Sequence, residues 1–160
     1  MPFLRKIRKP KWYRNNEVPW LPDGKLQANA LADLDIKHNK LSVWEVDDQF
    51  LDRTIAALAA GNDFLTNFDF TLFPEEVFHE LGIKMEKTQG ECCDKEVAGK
   101  HVDLVELTAD KVFQLAVYVR PENVKRLFHA EVVRLIRQSL QDGSITVDML
   151  GEHAQKLLRK

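Results

Sequence analysis

Carboxylates cluster just after two apolar runs in the first half of the chain. Asp47 and Asp48 follow the first run, and Glu75 and Glu76 follow the second. If both runs are parallel strands, these acids meet at one sheet edge, where ligands collect in such folds. Oxygen ligands there suit a hard cation such as Mg²⁺ and phosphoryl chemistry. Acids also cap helix N-termini, and the sequence has no glycine-rich phosphate loop, so we favour capping over metal binding.

Glu45 stands outside this interpretation because its neighbours on the predicted strand are apolar and helix capping does not explain it. Burial of Glu45 beside Asp69 would favour an enzyme, because buried acid pairs with shifted pKa values are typical of active sites. Exposure of Glu45 to water would instead make the stretch a scaffold.

Cys92 and Cys93 are adjacent thiols, and His79 and His101 are the histidines closest to them in sequence. Two thiolates and an imidazole are ligands that zinc prefers, and a thiol beside a histidine base is a nucleophile. Adjacent cysteines do not readily adopt the spacing of a zinc motif, and the chain contains no second pair. We therefore predict no metal and no cofactor.

Basic and aromatic residues are concentrated at the start of the chain. Residues 1–14 carry six basic and no acidic side chains, whereas residues 15–119 carry nine basic and twenty acidic ones. A basic arm on an acidic body favours association with a charged partner, and Trp, Tyr and Arg are the usual anchors of interfaces. The predicted partner-binding residues are Arg5, Arg8, Lys9, Lys11, Trp12, Tyr13, Arg14 and Trp20.

These patterns favour a small cytosolic accessory, inhibitor or immunity-type protein that binds another protein, and they favour a non-enzymatic protein over an enzyme. One alternative is a nucleic-acid-binding module that uses residues 1–14 and a basic C-terminal face. Against it, Asp148 and Glu152 place negative charge at the start of the last predicted helix, where a recognition helix would meet DNA. The second alternative is an enzyme with a carboxylate or cysteine site near the strand ends.

Composition limits the class of protein. The chain has 160 residues, 44% of them hydrophobic and 30% charged, which fits one globular domain. No apolar run approaches the ~20 residues that span a bilayer, and no apolar segment follows the N-terminal charges as in a secretory signal. Adjacent cysteines do not form a disulfide framework. We therefore expect a cytoplasmic protein without a membrane partner.

Hydrophobic periodicity predicts the elements that position these residues. The strands are expected at 41–46, 67–73 and 83–87, alternating with helices at 25–35, 48–60 and 75–81. Strands that alternate with helices are typical of parallel crossover units. We therefore predict an α/β or α+β fold with a small three-stranded, mainly parallel sheet and crossover helices, followed by a C-terminal helical subdomain.

The same patterns divide the chain into four parts. Residues 1–24 are interpreted as a basic aromatic arm and loop, 25–87 as the small α/β core, 88–100 as a polar loop, and 101–160 as the helical C-terminal part of the same domain. In this last part, helices are predicted at 109–119, 121–128, 130–141 and 147–158. The first of these is apolar nearly all round, and its sequence also suits a strand.

Overall fold

The computed structural model describes residues 1–7, 31, 34, 36–62, 64–119 and 121–158. Within these residues the strands are β1 (Pro2–Ile7), β2 (Leu41–Glu45), β3 (Phe68–Pro74), β4 (Lys84–Lys87), β5 (His101–Val105) and β6 (Val124–Leu127). The helices are α1 (Leu51–Ala60), α2 (Glu75–Glu80), α3 (Lys95–Ala98), α4 (Ala109–Tyr118), α5 (His129–Gln141) and α6 (Glu152–Leu158). Short 3₁₀ turns occur at Pro121–Asn123 and Val147–Met149.

The strands form one six-stranded sheet in the order β4-β5-β2-β1-β3-β6, and every neighbouring pair is antiparallel. The predicted three-stranded, mainly parallel sheet is therefore wrong. The three predicted strands β2, β3 and β4 do run in the same direction, as the strand–helix–strand pattern indicates. However, β1 lies between β2 and β3, and β5 lies between β4 and β2, so no two of them are hydrogen-bonded to each other.

The three strands that the sequence did not reveal are β1, β5 and β6. In β1, two consecutive cations, Arg5 and Lys6, hide the strand pattern. Residues 2–7 of the predicted arm therefore belong to the interior of the sheet. Strand β5 lies in a part interpreted as helical, and β6 has only four residues. The helix predicted at 121–128 is wrong, because a 3₁₀ turn and β6 occupy that segment.

Most other elements match their predictions. The structure confirms β2, β3, β4, α2, α4 and α5 within one or two residues, and it confirms α1 with a start three residues later than predicted. Asp47 accepts hydrogen bonds from the backbone N–H groups of Gln49 and Phe50 in the turn before α1. It does not cap the helix as predicted, because the N-cap residue of α1 is Phe50 and no side chain caps it. The segment 147–158 is a 3₁₀ turn followed by α6 rather than one helix, and the predicted loop 88–100 contains α3. The helix predicted at 25–35 lies mostly outside the described residues.

Helices cover both faces of the sheet. Successive residues of a strand point to opposite faces, so Phe3 and Leu4 of β1 belong to two separate hydrophobic clusters. The Leu4 cluster includes residues of α1, α5 and α6, whereas the Phe3 cluster includes residues of α2 and α4. A sheet buried on both sides needs apolar residues on both faces of its strands, which explains why these strands do not alternate cleanly.

Candidate functional site

Of the predicted partner-binding residues, only Arg5 lies within the described part of the chain. Arg5 belongs to β1 and is 5% exposed. The guanidinium donates to the backbone oxygen of Ser42 at 2.9 Å and to that of Leu34. Arg5 therefore fastens the N-terminal strand to its neighbours. The other predicted residues, Arg8, Lys9, Lys11, Trp12, Tyr13, Arg14 and Trp20, lie outside the described residues.

The predicted acids do not converge into one site. Lys87 of β4 lies 3.3 Å from the Glu45 carboxylate, whose side chain is 16% exposed. Glu45 pairs with Phe3 of β1, whereas Asp69 lies opposite Ile7, four residues further along that strand. Asp69 is buried and forms an ion pair with Arg126 of β6. Asp69 therefore links the paired strands β3 and β6, whereas Glu45 of β2 contacts Lys87 of β4 across β5. Among the described residues, no three His, Cys, Asp or Glu side chains are placed to hold a metal ion.

The two cysteines lie in a half-buried turn before α3. Each thiol donates to a backbone oxygen, Cys92 to Asp94 at 3.2 Å and Cys93 to Ala57 at 3.3 Å. Burial, with a smaller contribution from the neighbouring Cys92, raises the pKa of the Cys93 thiol to about 11. A thiol with this pKa is protonated at neutral pH and is a poor nucleophile. This turn is therefore better explained by packing than by catalysis.

Asp94, which follows the cysteines, links two helices. Its buried carboxylate accepts the backbone N–H groups of Glu96 and Val97, and so caps α3. The Arg53 side chain of α1 donates to both of its oxygens, at 2.6 and 3.1 Å. This bidentate ion pair links α3 to α1 and explains why the Asp94 carboxylate can be buried.

A polar cluster lies where β2, β5 and the end of β4 meet. Strand register places Ser42 opposite Asp103 and Trp44 opposite His101, and Thr88 follows β4 directly. We refer to Ser42, Thr88, His101 and Asp103 as the His101 cluster. Ser42 Oγ and Thr88 Oγ1 lie 3.2 and 3.3 Å from the Asp103 oxygens and are within donating distance of them. His101 Nδ1 lies 2.8 Å from Thr88 Oγ1.

The His101 cluster does not have the geometry of a catalytic triad. In a triad the histidine bridges a hydroxyl and an acid, whereas here both hydroxyls contact the carboxylate directly. His101 Nε2 lies 3.7 Å from Asp103, which is beyond hydrogen-bond distance. Burial lowers the pKa of His101 despite the opposing effect of Asp103, so the imidazole is neutral at pH 7. The hydroxyls of Ser42 and Thr88 and the Asp103 carboxylate bind one another, which links β2, β5 and the end of β4.

A cavity of about 440 Å³ opens beside the His101 cluster. Its wall carries both signs of charge, with Lys37 and Lys40 facing the same space as Glu91 and Asp103. Gly90 also lines this cavity and packs against His101 so closely that a Cβ atom there would lie 2.7 Å from the His101 Cβ. The wall carries both signs of charge, and the Asp103 carboxylate already accepts hydrogen bonds from Ser42 and Thr88. This cavity therefore does not select one class of ligand.

A second cavity, of about 530 Å³, is a groove between α2 and α4 on the other face of the sheet. Its apolar lining consists of Val77 of α2, Leu81 directly after α2, and Val117 and Tyr118 of α4. All four side chains are partly exposed. We call this cavity the α2–α4 groove.

The walls of the α2–α4 groove are held firmly. Phe73 of β3 lies beneath them and contacts both helices, with its ring 5.5 Å from that of Phe78 in α2 and 5.1 Å from that of Tyr118 in α4. Lys111 Nζ of α4 donates to the Gly82 oxygen just beyond α2 at 2.7 Å. The Tyr118 hydroxyl donates to the Leu72 oxygen at 3.4 Å. The groove is therefore a formed feature of the fold.

The charge at the rim of the α2–α4 groove is negative. Glu80 ends α2, and Glu122 lies in the 3₁₀ turn after α4. Both side chains are exposed, and neither forms an ion pair within the part of the chain that the structure describes. Glu76, also exposed, adds a third carboxylate on α2. The groove thus combines an apolar floor with an acidic rim.

Sequence reasoning did not single out this groove, although one signal pointed towards it. The predicted helix at 109–119 has Leu115 and Ala116 on its buried face, and a second apolar set that includes Phe113 and Val117. In the structure α4 is a surface helix, with Phe113 38% exposed and Val117 in the groove wall. The additional apolar residues of α4 therefore indicated an exposed apolar surface on this helix. They did not indicate a helix buried at the centre of the fold.

No protein-family model matches the chain, and comparisons with curated proteins and with solved structures gave no match. In the ranges that the structure covers, no helix has the length and apolar character needed to cross a membrane.

Proposed function

We propose that this chain is a small cytoplasmic accessory protein that acts by binding another protein through its acidic body. The observation that carries the proposal is the α2–α4 groove, in which a preformed apolar floor is bordered by Glu80 and Glu122. Partly exposed apolar side chains beside polar rims are typical of interaction sites. The described cysteines and the His101 cluster, in contrast, are satisfied by internal hydrogen bonds.

The proposal retains only part of the basic aromatic stretch as a partner-binding segment. Arg5 and Lys6 belong to β1, and Lys6 donates to Asn62 at 2.8 Å, so these two cations serve the fold. Arg8, Trp12 and Trp20 remain predicted partner contacts. The acidic body is thus the better supported half of the hypothesis.

Affinity capture from the native host tests this function. The full-length protein is immobilised, and native lysate, either untreated or treated with nuclease, is applied at low salt. We expect one protein to be retained at close to equal stoichiometry and to elute as salt rises, because exposed charge pairs are screened by salt. Loss of the retained protein on nuclease treatment would instead support the nucleic-acid alternative.

That alternative has one structural observation in its favour. Arg134 and Arg137 lie one turn apart on α5 and line a shallow depression. Such a pair suits backbone phosphates. Retention of nucleic acid with no protein at comparable stoichiometry would contradict the protein-binding function, and capture of neither would contradict both.

A further inference from the structure

We infer that the α2–α4 groove receives a basic amphipathic helix of a partner protein. This inference rests on the proposed protein-binding function and specifies the chemistry of the partner. It starts from two facts about the groove: its floor is apolar, and both charged side chains in its described lining, Glu80 and Glu122, are carboxylates. A complementary ligand therefore has an apolar stripe with cations on either side.

The occupant is a helix because of what lines the groove. The walls are helices, which present side chains and keep their backbone groups hydrogen-bonded internally. An added strand would find no strand edge there, and its own N–H and C=O groups would lose water without gaining partners. A helix satisfies its backbone within itself and can place side chains at i, i+3, i+4 and i+7 against Val77, Leu81 and Val117.

The apolar strip is long enough for about two turns of such a helix. Phe113 lies one turn before Val117 on α4 and is 38% exposed, so it continues the apolar wall beyond the groove itself. Glu80 of α2 lines the facing side of the groove, and Glu76 lies one turn before it, just outside the groove lining. Cations spaced by one turn on the partner helix would meet both acids.

The test uses a defined probe, a synthetic helical peptide of about 18 residues made of Lys, Leu and Ala with leucines at i, i+3, i+4 and i+7. Its affinity for the full-length protein is measured by fluorescence anisotropy at low salt. A matched peptide with Glu in place of Lys controls for apolar binding alone. We expect saturable binding of the basic peptide and binding of the acidic peptide weaker by at least about tenfold.

Two double variants locate the binding. Glu80→Lys with Glu122→Lys reverses the rim of the groove, whereas Asp48→Lys with Glu152→Lys makes the same change in net charge next to α1 and α6 on the other face. We expect the rim variant to lose at least about tenfold in affinity and the control variant to change by less than about threefold. Glu80→Lys also places a cation at a helix C-terminus, which favours folding.

Other outcomes overturn the inference. Equal weakening by both double variants would show that the peptide responds only to net charge. Concentration-dependent dimers that the rim variant abolishes would assign the groove to a second copy of the chain. A protein partner captured from the host but retained equally by the rim variant would leave the proposed function standing and remove the groove as its site.

Discussion

At the scale of single residues, Arg5 shows how burial changes the meaning of a charge. In the sequence it belongs to a run of cations that reads as a binding arm. In the structure it is buried in the sheet and donates to the backbone oxygens of Ser42 and Leu34. A charged donor held by carbonyl groups is a structural contact, because leaving those carbonyls unsatisfied is unfavourable.

Arg5→Ala is therefore expected to lower the free energy of unfolding by about 2–3 kcal/mol, since it removes two charge-assisted hydrogen bonds and leaves buried acceptors behind. Urea denaturation measures this change. Lys125→Ala on the exposed face of β6 is the matched control and should change stability by less than about 0.5 kcal/mol. An Arg5→Ala protein as stable as the wild type would mean that the arginine is not a structural residue.

Residue roles were predictable where they depend on neighbours in sequence. Asp47 was expected to bind backbone groups at a helix start, and its carboxylate does accept the N–H groups two and three residues away, in the turn that leads into α1. Glu45 and Asp69 could not be assigned, because their partners Lys87 and Arg126 are supplied by other strands. Their pairing depends on the strand order, which the local pattern does not contain.

At the scale of elements, the sheet was mispredicted because its missing strands are interleaved with the predicted ones. The alternation of strands and helices identified the direction of β2, β3 and β4 correctly. It gave no sign that β1 and β5 separate them, since β1 carries consecutive charges and β5 lies in the part of the chain that was interpreted as helical. Whether two neighbouring strands pair in parallel or antiparallel depends on which strands are adjacent in the sheet. A local sequence pattern does not specify which distant segments become neighbours.

Two glycines test whether the loop before α3 is fixed by its contact with β5. Gly90→Ala is expected to destabilise the protein by about 1–3 kcal/mol, because the new methyl group would lie 2.7 Å from the His101 Cβ, a backbone-fixed atom. Gly61→Ala is the control, since a Cβ atom added there would have no non-neighbouring atom within 4 Å, and the Gly61 φ of −78° suits alanine. It should be neutral or stabilise by up to about 1 kcal/mol.

Thermal and urea unfolding of the two glycine variants decide this point. Equal stability of both would show that the loop moves aside at little cost. In that case the close approach of Gly90 to His101 would not constrain the His101 cluster.

At the scale of the whole molecule, charge and apolar surface are segregated. Helices cover both faces of the sheet, and on the α2 and α4 side an apolar strip remains exposed between acidic side chains. The acidic character of this region was visible in the sequence, where residues 15–119 have an excess of acids. The groove itself was not, because it forms only when β3 brings α2 and α4 together over Phe73.

Site-specific photo-crosslinking in the native host tests whether a basic helix of a partner protein occupies the α2–α4 groove. Benzoylphenylalanine replaces Gln114, an exposed residue lining the α2–α4 groove, or Gln141 at the end of α5 as the control. The account predicts one dominant protein adduct from position 114, attached within a Lys- or Arg-rich helical segment of the partner, and none of that adduct from position 141. A partner that crosslinks from position 141 and not from position 114 would contradict it.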